Sequence, residues 1–247
     1  GRAAQDDRLR TLQQHLNEGL VPQSVATDTV VTMRWHSAQQ DGLLHNVTCI
    51  LPGRDQAKAE EAIVIGAHRD HFGKQGGLLF AGADDNASGT AVLLEVARVL
   101  QSLPVKPKRS IVLISFSGEE QGLLGSKFYI SHPAVPLRST LAMINVDHAA
   151  VGNGRLTIGV TGTEKAAAQQ AGQTAELADR LDVFGFFPGG DHVPFKEAGI
   201  PTVTVVSGGV HPHFHQPTDT ADTVNPDILA AAARYVLAML WQLADAP

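Results

Sequence analysis

The sequence has a single cysteine, Cys49, among 247 residues. One thiol can form neither an intrachain disulfide framework nor a cysteine-rich zinc site. Its place in an apolar run predicts a buried, inert thiol. Runs of basic residues are also absent. Lys and Arg total 19 against 25 Asp and Glu, a net charge of −6. Binders of nucleic acid or of anionic membranes need a concentrated positive surface, so both partner classes are excluded. No apolar stretch approaches the roughly 20 residues of a spanning helix. No secretory signal is visible, but the chain begins Gly1-Arg2 without a methionine, so this absence says nothing about compartment. Internal repeats and low-complexity linkers are missing too. What remains is globular, 43% apolar and 18% charged, with ample length to bury a core.

The pattern along the chain predicts an α/β fold. A polar amphipathic helix opens it, Asp6 to Leu20, with Leu9, Leu12 and Leu16 on one side. Strands are expected over Thr27–Trp35 and Leu44–Leu51, the latter punctuated by Pro52-Gly53. Apolar runs and helical patterns then alternate. The runs are Ala62–Ala67, Ser110–Phe116, Leu141–Val146 and Thr202–Val206. The helices are Ala87–Leu100, Gln121–Ile130, Thr163–Arg180, Val193–Ala198 and Pro226–Leu243, the last with proline in its first turn. Gly73–Gly89 and Gly185–Gly190 read as loops. Continuous apolar strands between helices indicate a sheet covered on both faces, within one domain spanning 1–247.

The chemistry is positional. Each of the four apolar runs leads into metal-capable residues: His68-Arg69-Asp70-His71, Gly118-Glu119-Glu120, Asp147-His148, and His211, His213 and His215. Taken singly, each has an ordinary reading. A His-x-Asp pair is usually superficial, adjacent glutamates favour a helix start, and an aspartate ending a strand caps a turn. Repetition after buried strands is not ordinary, because sites in open α/β sheets lie at the carboxyl ends of strands. Adjacent glutamates point in different directions, so one can bind a metal while the other acts as general base. Asp70 is placed to accept the second ring N–H of His68. Asp84 and Asp85 precede a helix, where one can cap and the other can bind.

These motifs, in order, resemble the di-zinc aminopeptidases, a group that includes glutamate carboxypeptidase II, the transferrin receptor ectodomain and the glutaminyl cyclases. The resemblance runs through Gly66-Ala67-His68-Arg69-Asp70-His71, Asp84-Asp85-Asn86, Ser117-Gly118-Glu119-Glu120-Gln121-Gly122, Asn145-Val146-Asp147, Asp191-His192-Val193-Pro194-Phe195 and Phe214-His215-Gln216-Pro217-Thr218-Asp219-Thr220. It covers about residues 45 to 245 of the sequence. It implies a three-layer sandwich of the zinc-exopeptidase type, with a mostly parallel mixed sheet flanked by helices. It also implies two Zn²⁺ per chain. His68 and Asp147 would hold one, Glu120 and His215 the other, and Asp85 would bridge them. Glu119 is implied as the general base acting on a bridging water, and Asp70 as the partner of His68. The substrate would be a peptide with a free N-terminus. Relatives are often secreted or periplasmic, which sets that expectation here. Residues 1–40 are too few for the protease-associated domain that some relatives carry.

The sequence departs from the family at Phe214, where many relatives place a tyrosine that stabilises the developing oxyanion. That residue keeps open a glutaminyl-cyclase-like acyltransferase with one zinc. A receptor-type domain without catalysis is the third reading, but such a domain would have lost ligands and none is lost. His148 stands where relatives often have an apolar residue, so it lines the pocket or packs beside it. His71 receives no metal role. His192 is placed to touch substrate, and His211 and His213 to serve structure or face solvent. Arg69 suggests an internal salt bridge. Asn46 and Asn86 match glycosylation sequons by chance. Val151–Arg155 and Val183–Gly190 are candidate pocket loops, with Phe184, Phe186 and Phe187 as an apolar wall.

Overall fold

A computed structural model describes residues 41–246 continuously, together with residues 7, 10–12, 14, 30–34 and 36. The chain divides into two compact units, Gly1–Gly42 and Leu43–Pro247. In the first, the described residues at 7, 10–12 and 14 are helical. The remainder of the helix expected from Asp6 to Leu20 lies outside the described residues. No strand forms over 30–34, the described part of the Thr27–Trp35 expectation. Val30 and Val31 are exposed, and β-branched residues favour a strand only where a packed face rewards it.

The second unit is built on a seven-stranded sheet in the order β1-β5-β2-β6-β9-β7-β8. Its strands are β1 (Val47–Leu51), β2 (Ala62–His68), β5 (Ser110–Phe116), β6 (Thr140–Val146), β7 (Leu156–Thr161), β8 (Leu181–Phe184) and β9 (Thr202–Ser207). The central four, β5, β2, β6 and β9, run parallel, while β1 and β7 are antiparallel to their neighbours β5 and β9. The helices are α1 (Gly89–Ser102), α2 (Leu124–Ser131), α3 (Lys165–Thr174), α4 (His192–Glu197) and α5 (Pro226–Asp245).

Alternation along each strand sorts its side chains between two cores. Ile63, Ile65 and Ala67 join Ile111, Leu113, Ala142 and Ile144 in the larger core, under α1, α3 and α5. Ala62 and Val64 join Val112, Ile114, Phe116 and Met143 in the smaller one, with Tyr129 of α2 and Phe195 of α4. Every residue of β2 is buried. The three-layer sandwich is therefore formed as the apolar runs require. Helix α5 is long and apolar enough by length and composition to cross a membrane, with half of its apolar window buried. Ile228, Ala231, Ala232, Tyr235, Val236, Met239 and Leu240 are sealed against the sheet and neighbouring helices, which marks a core helix.

Several elements differ from the sequence pattern for local reasons. Gly73–Gln75 (β3) and Leu78–Phe80 (β4) form a hairpin within the expected loop. Its two-residue turn, Gly76-Gly77, has φ of 57° and 84°, the left-handed values that tight hairpins demand. β7 and β8 were not evident as strands, since Gly159 interrupts one and the other follows a helical pattern directly. The helix expected over Thr163–Arg180 ends at Thr174, where Leu177 N–H turns back to the Gly172 carbonyl at 2.8 Å. Cys49 is exposed, contrary to the buried thiol expected, because β1 is an edge strand whose residues are exposed along most of its length.

Candidate metal centre

The sheet register brings the site together. His68 pairs with Phe116 and Gly66 with Asn145. His68 and Asp147 therefore stand level at the carboxyl ends of adjacent strands, with the Ser117–Glu120 turn beside them. Asp85 arrives from a π-type turn, Ala83–Ser88, in which the Asp85–Asn86 peptide bond is cis. Asn86 pins this turn to β6. Its Nδ2 donates to the Val146 carbonyl at 2.9 Å, and its Oδ1 accepts the Gly89 N–H at 2.9 Å. No side chain fits at Gly89, where a Cβ would lie 2.3 Å from Asn86 Oδ1 and 2.5 Å from the Val146 carbonyl. Buried Asp219 accepts the Asp84 and Asp85 N–H groups at 2.9 and 3.1 Å. Sequence reasoning noted Asp219 only as part of a motif. Its position four residues after His215 was the available signal.

The donor spacings test the site for zinc. Nitrogen and oxygen ligands about 2.0–2.1 Å from a tetrahedral ion stand roughly 3.3 Å from one another. His68 Nε2 lies 3.4 Å from Asp85 Oδ1 and 3.4 Å from Asp147 Oδ1. His215 Nε2 lies 3.1 Å from Asp85 Oδ2 and 3.5 Å from Glu120 Oε2. The two oxygens of Asp85 thus face two separate donor sets. Asp85 Oδ2 and Asp147 Oδ1 are buried without a hydrogen-bond partner, a costly state for a carboxylate that a cation would relieve. The residues fit a metal of zinc character.

Shorter separations identify supporting groups. His71 Nδ1 and Glu120 Oε1 are 2.6 Å apart, as are His211 Nδ1 and Asp84 Oδ2. These are hydrogen bonds, too close for two donors sharing one zinc. His71 therefore buttresses Glu120, and Asp84 faces away from the donor sets. Asp70 differs in detail from the expectation. His68 Nδ1 contacts the Asp70 backbone carbonyl at 3.1 Å, while the carboxylate is 3.8 Å away. That carboxylate instead accepts the Glu119 and Glu120 N–H groups, both at 3.3 Å, and so fixes the turn carrying both glutamates. Glu119 Oε2 reaches within 4.0 Å of His68 Nε2, which places it beside the centre rather than within it.

The electrostatics follow from crowding buried carboxylates. Burial raises Glu119, His68 draws it back, and Asp147 and Asp85 add to the rise. Burial together with Asp85 and Glu119 lifts Glu120 to about 8. Burial opposes charge on His68, but the adjacent carboxylates of Asp147 and Asp85 outweigh it and push the imidazole up to about 12. Burial likewise opposes charge on His148, yet Asp84 and Asp147 raise it to about 9. Asp84 is depressed despite burial, through His148 and His211. Without metal, His68, His148 and His211 serve as counter-ions for the acids. Asp191 is almost fully buried with both oxygens unpartnered, and burial lifts it to about 7.

The donor atoms open into a cavity of about 290 Å³ whose lining includes His148, Phe187, Gly190 and Phe214. A neighbouring cavity of about 380 Å³ shares His148, Phe187 and Phe214 and adds Thr157 and His211. Of the two candidate loops, Val183–Gly190 reaches these cavities and Val151–Arg155 does not. Phe187 alone of the three phenylalanines lines them; Phe184 and Phe186 are exposed. His192 is buried, and its Nε2 contacts the Phe187 carbonyl at 2.7 Å, so it shapes the loop rather than meeting substrate. Among the described residues Arg69 makes no salt bridge; it donates to the His45, Ser115 and Phe116 carbonyls. Asn46 is likewise engaged internally, by Gly125 and Ser117. His213 lies near the surface with Thr218 Oγ1 3.0 Å from its Nδ1.

Known proteins resemble this chain in sequence and fold. The chain is 33% identical to aminopeptidase YwaD of Bacillus subtilis over 172 residues, 65% of this chain and 37% of that protein. It is 29% identical over 215 residues to a probable leucine aminopeptidase of Arthroderma otae, covering 81% and 58%. The crystal structure of BSAP, a zinc aminopeptidase from Bacillus subtilis, superposes with a TM-score of 0.69 at 29% identity, covering 80% of this chain and 50% of that one. The chain thus spans well under two thirds of these relatives' lengths. The sequence profile of peptidase family M28 matches residues 46–240, nearly the whole unit that carries the sheet and all five donor residues, and the chain belongs to that family.

Proposed function

We propose that the chain is a two-zinc aminopeptidase that removes N-terminal residues from peptides. The observation that carries this reading is the shared carboxylate. Asp85 presents one oxygen to His68 and Asp147 and the other to His215 and Glu120, at spacings suited to two ions. Zinc bound there supplies a Lewis acid and brings the pKa of water to about 7.

The chain's own residues account for the rest. Glu119 stands beside the donor sets without belonging to either, so its carboxylate can accept a proton from the attacking water and return it to the leaving amine. Its raised affinity for protons suits that shuttle. Asp70, through the Glu119 and Glu120 N–H groups, fixes the base relative to the ligand next to it. Phe187 and Phe214 border the cavity and exclude water from the reacting bond. The neighbouring cavity, continuous through the same phenylalanines, is suited to the side chain of the residue released. The single-zinc cyclase alternative leaves one of the two complete donor sets without a purpose.

Zinc content and turnover test this together. The purified chain is expected to bind two equivalents of zinc and to hydrolyse amino-acid anilides. Glu119→Gln should keep both zinc ions and lose roughly 10²-fold or more in kcat. Asp85→Ala should lose both ions. One tight equivalent in the parent chain, with cyclisation of N-terminal glutamine, would replace this reading with the cyclase.

A further inference from the structure

His211 lies outside both donor sets, yet it is tied to the residues that present them. Its Nδ1 is 2.6 Å from Asp84 Oδ2 and its Nε2 is 3.0 Å from the Ser207 carbonyl. Both partners are acceptors. An imidazole flanked by acceptors on both nitrogens carries both protons, so His211 is a cation. Asp84 is also held by the Ala150 N–H, which Oδ1 accepts at 2.9 Å. Asp84 immediately precedes the carboxylate shared by the donor sets, and His211 lies four residues before His215. The return connection is Asp219, whose carboxylate accepts the Asp84 and Asp85 N–H groups. The segment carrying His215 is thus fastened to the Asp85 turn on both sides, by an ion pair before His215 and by a pair of backbone hydrogen bonds after it. His215 is the most exposed donor, with 39% of its side chain accessible, and its backbone sits at φ 56°. A strained, outlying ligand holds its place only when its surroundings fix it.

We propose that His211 is a positioning residue: its ion pair with Asp84 holds the His215 segment at the correct distance from Asp85, and so sets the affinity of the second metal position without touching metal or substrate. This rests on the two-zinc reading. It assigns a task to a histidine that the reaction itself does not use, and it distinguishes the two positions. His68 is carried by a fully buried strand and needs no such clamp, whereas His215 lies on a loop.

The test is competitive zinc titration against a chromophoric chelator, on the parent chain, His211→Phe and Asp84→Asn, with His215→Ala as the reference for a chain lacking the second position. Loss of an outer partner typically weakens metal binding 10–100-fold. The expected result is a rise of that size in one dissociation constant and less than threefold in the other, so that each variant approaches the His215→Ala pattern. Excess zinc should restore kcat in both variants, which simple misfolding would not allow. Asp84→Asn keeps the side-chain shape and the Ala150 contact, so it carries the test if His211→Phe does not fold. Two unchanged dissociation constants would overturn the proposal. So would parallel weakening of both positions with a lowered melting temperature. A parent chain holding fewer than two zinc ions would refute the two-zinc reading itself.

Discussion

Removing zinc should invert how the stability of this chain depends on pH. In the metal-free site, His68, His148 and His211 all have folded-state pKa values raised above the ordinary histidine value. Such groups contribute stability that is fully present below about 6.5 and is lost as pH rises through the folded value. For His148, a rise from 6.5 to about 9 corresponds to roughly 3 kcal/mol. Glu119 and Glu120 act in the same direction, because burial raises both; Glu120, which holds its proton up to about 8, costs stability as it ionises above its unfolded pKa. Asp84 and Asp85 are depressed, but their contribution is lost only in acid, below the ordinary carboxylate range. The metal-free chain should therefore be most stable near pH 4 and lose stability as pH rises from there, first as the glutamates ionise and then as the histidines lose their protons. Taking His148 alone, at roughly 2–4 °C per kcal/mol for this size, its melting temperature should fall by about 6–12 °C toward pH 9. With zinc, protons compete with the metal for the same donors, so stability should rise over that range. Thermal melts in chelator and in excess zinc, across pH 6 to 9, give the comparison. A chelated chain whose melting temperature is flat or rising would refute the assignment of these histidines as counter-ions.

Two further substitutions probe separate links. Gly89→Ala should destabilise the fold by about 1–3 kcal/mol through overpacking, because the new Cβ meets the Val146 carbonyl and Asn86. It should also lower zinc content by moving the Asp85 turn, and a parent-like melt with full zinc would contradict the close approach described. Phe214→Tyr, at a ring stacked 3.7 Å from His215, should raise kcat at least about tenfold with little change in KM if a hydroxyl there reaches the developing oxyanion; anilide kinetics decide it.

The sheet's inner strands were legible because each is a short apolar run with no polar interruption, a pattern that parallel strands covered on both faces require. Ser110–Phe116 appears as written, and Ala62–Ala67 and Thr202–Val206 each extend by one residue. His68 and Asp147 were legible because they follow those runs directly, whereas Glu120, His215 and Asp85 were legible only through the motifs around them. What escaped notice depends on partners distant in sequence. β7 is a strand because β9 lies antiparallel beside it, and its own composition is ambiguous. Glu120 begins a turn rather than a helix because Asp70 captures two backbone N–H groups. His71 and His211 were set aside as metal ligands by the sequence, but their partners were not legible in it. Only the 2.6 Å contacts reveal them as hydrogen-bond partners. Cys49 was misjudged because an apolar run says nothing about whether its strand lies at the edge of a sheet.

The five donors come from five separate segments spread between positions 68 and 215. No local stretch of the chain holds more than one donor of either set, so a partly folded chain offers zinc no useful grip. On the two-zinc reading, each ion would act as a crosslink across long loops, joining β2 to β6 or the β5 end to the distant His215 loop. A ligand that binds only the finished topology adds its binding energy to the folded state alone, about 4 kcal/mol per position at a thousandfold excess over its dissociation constant. On that reading metal supply would set what fraction of the chain is folded, quite apart from whether it turns over substrate.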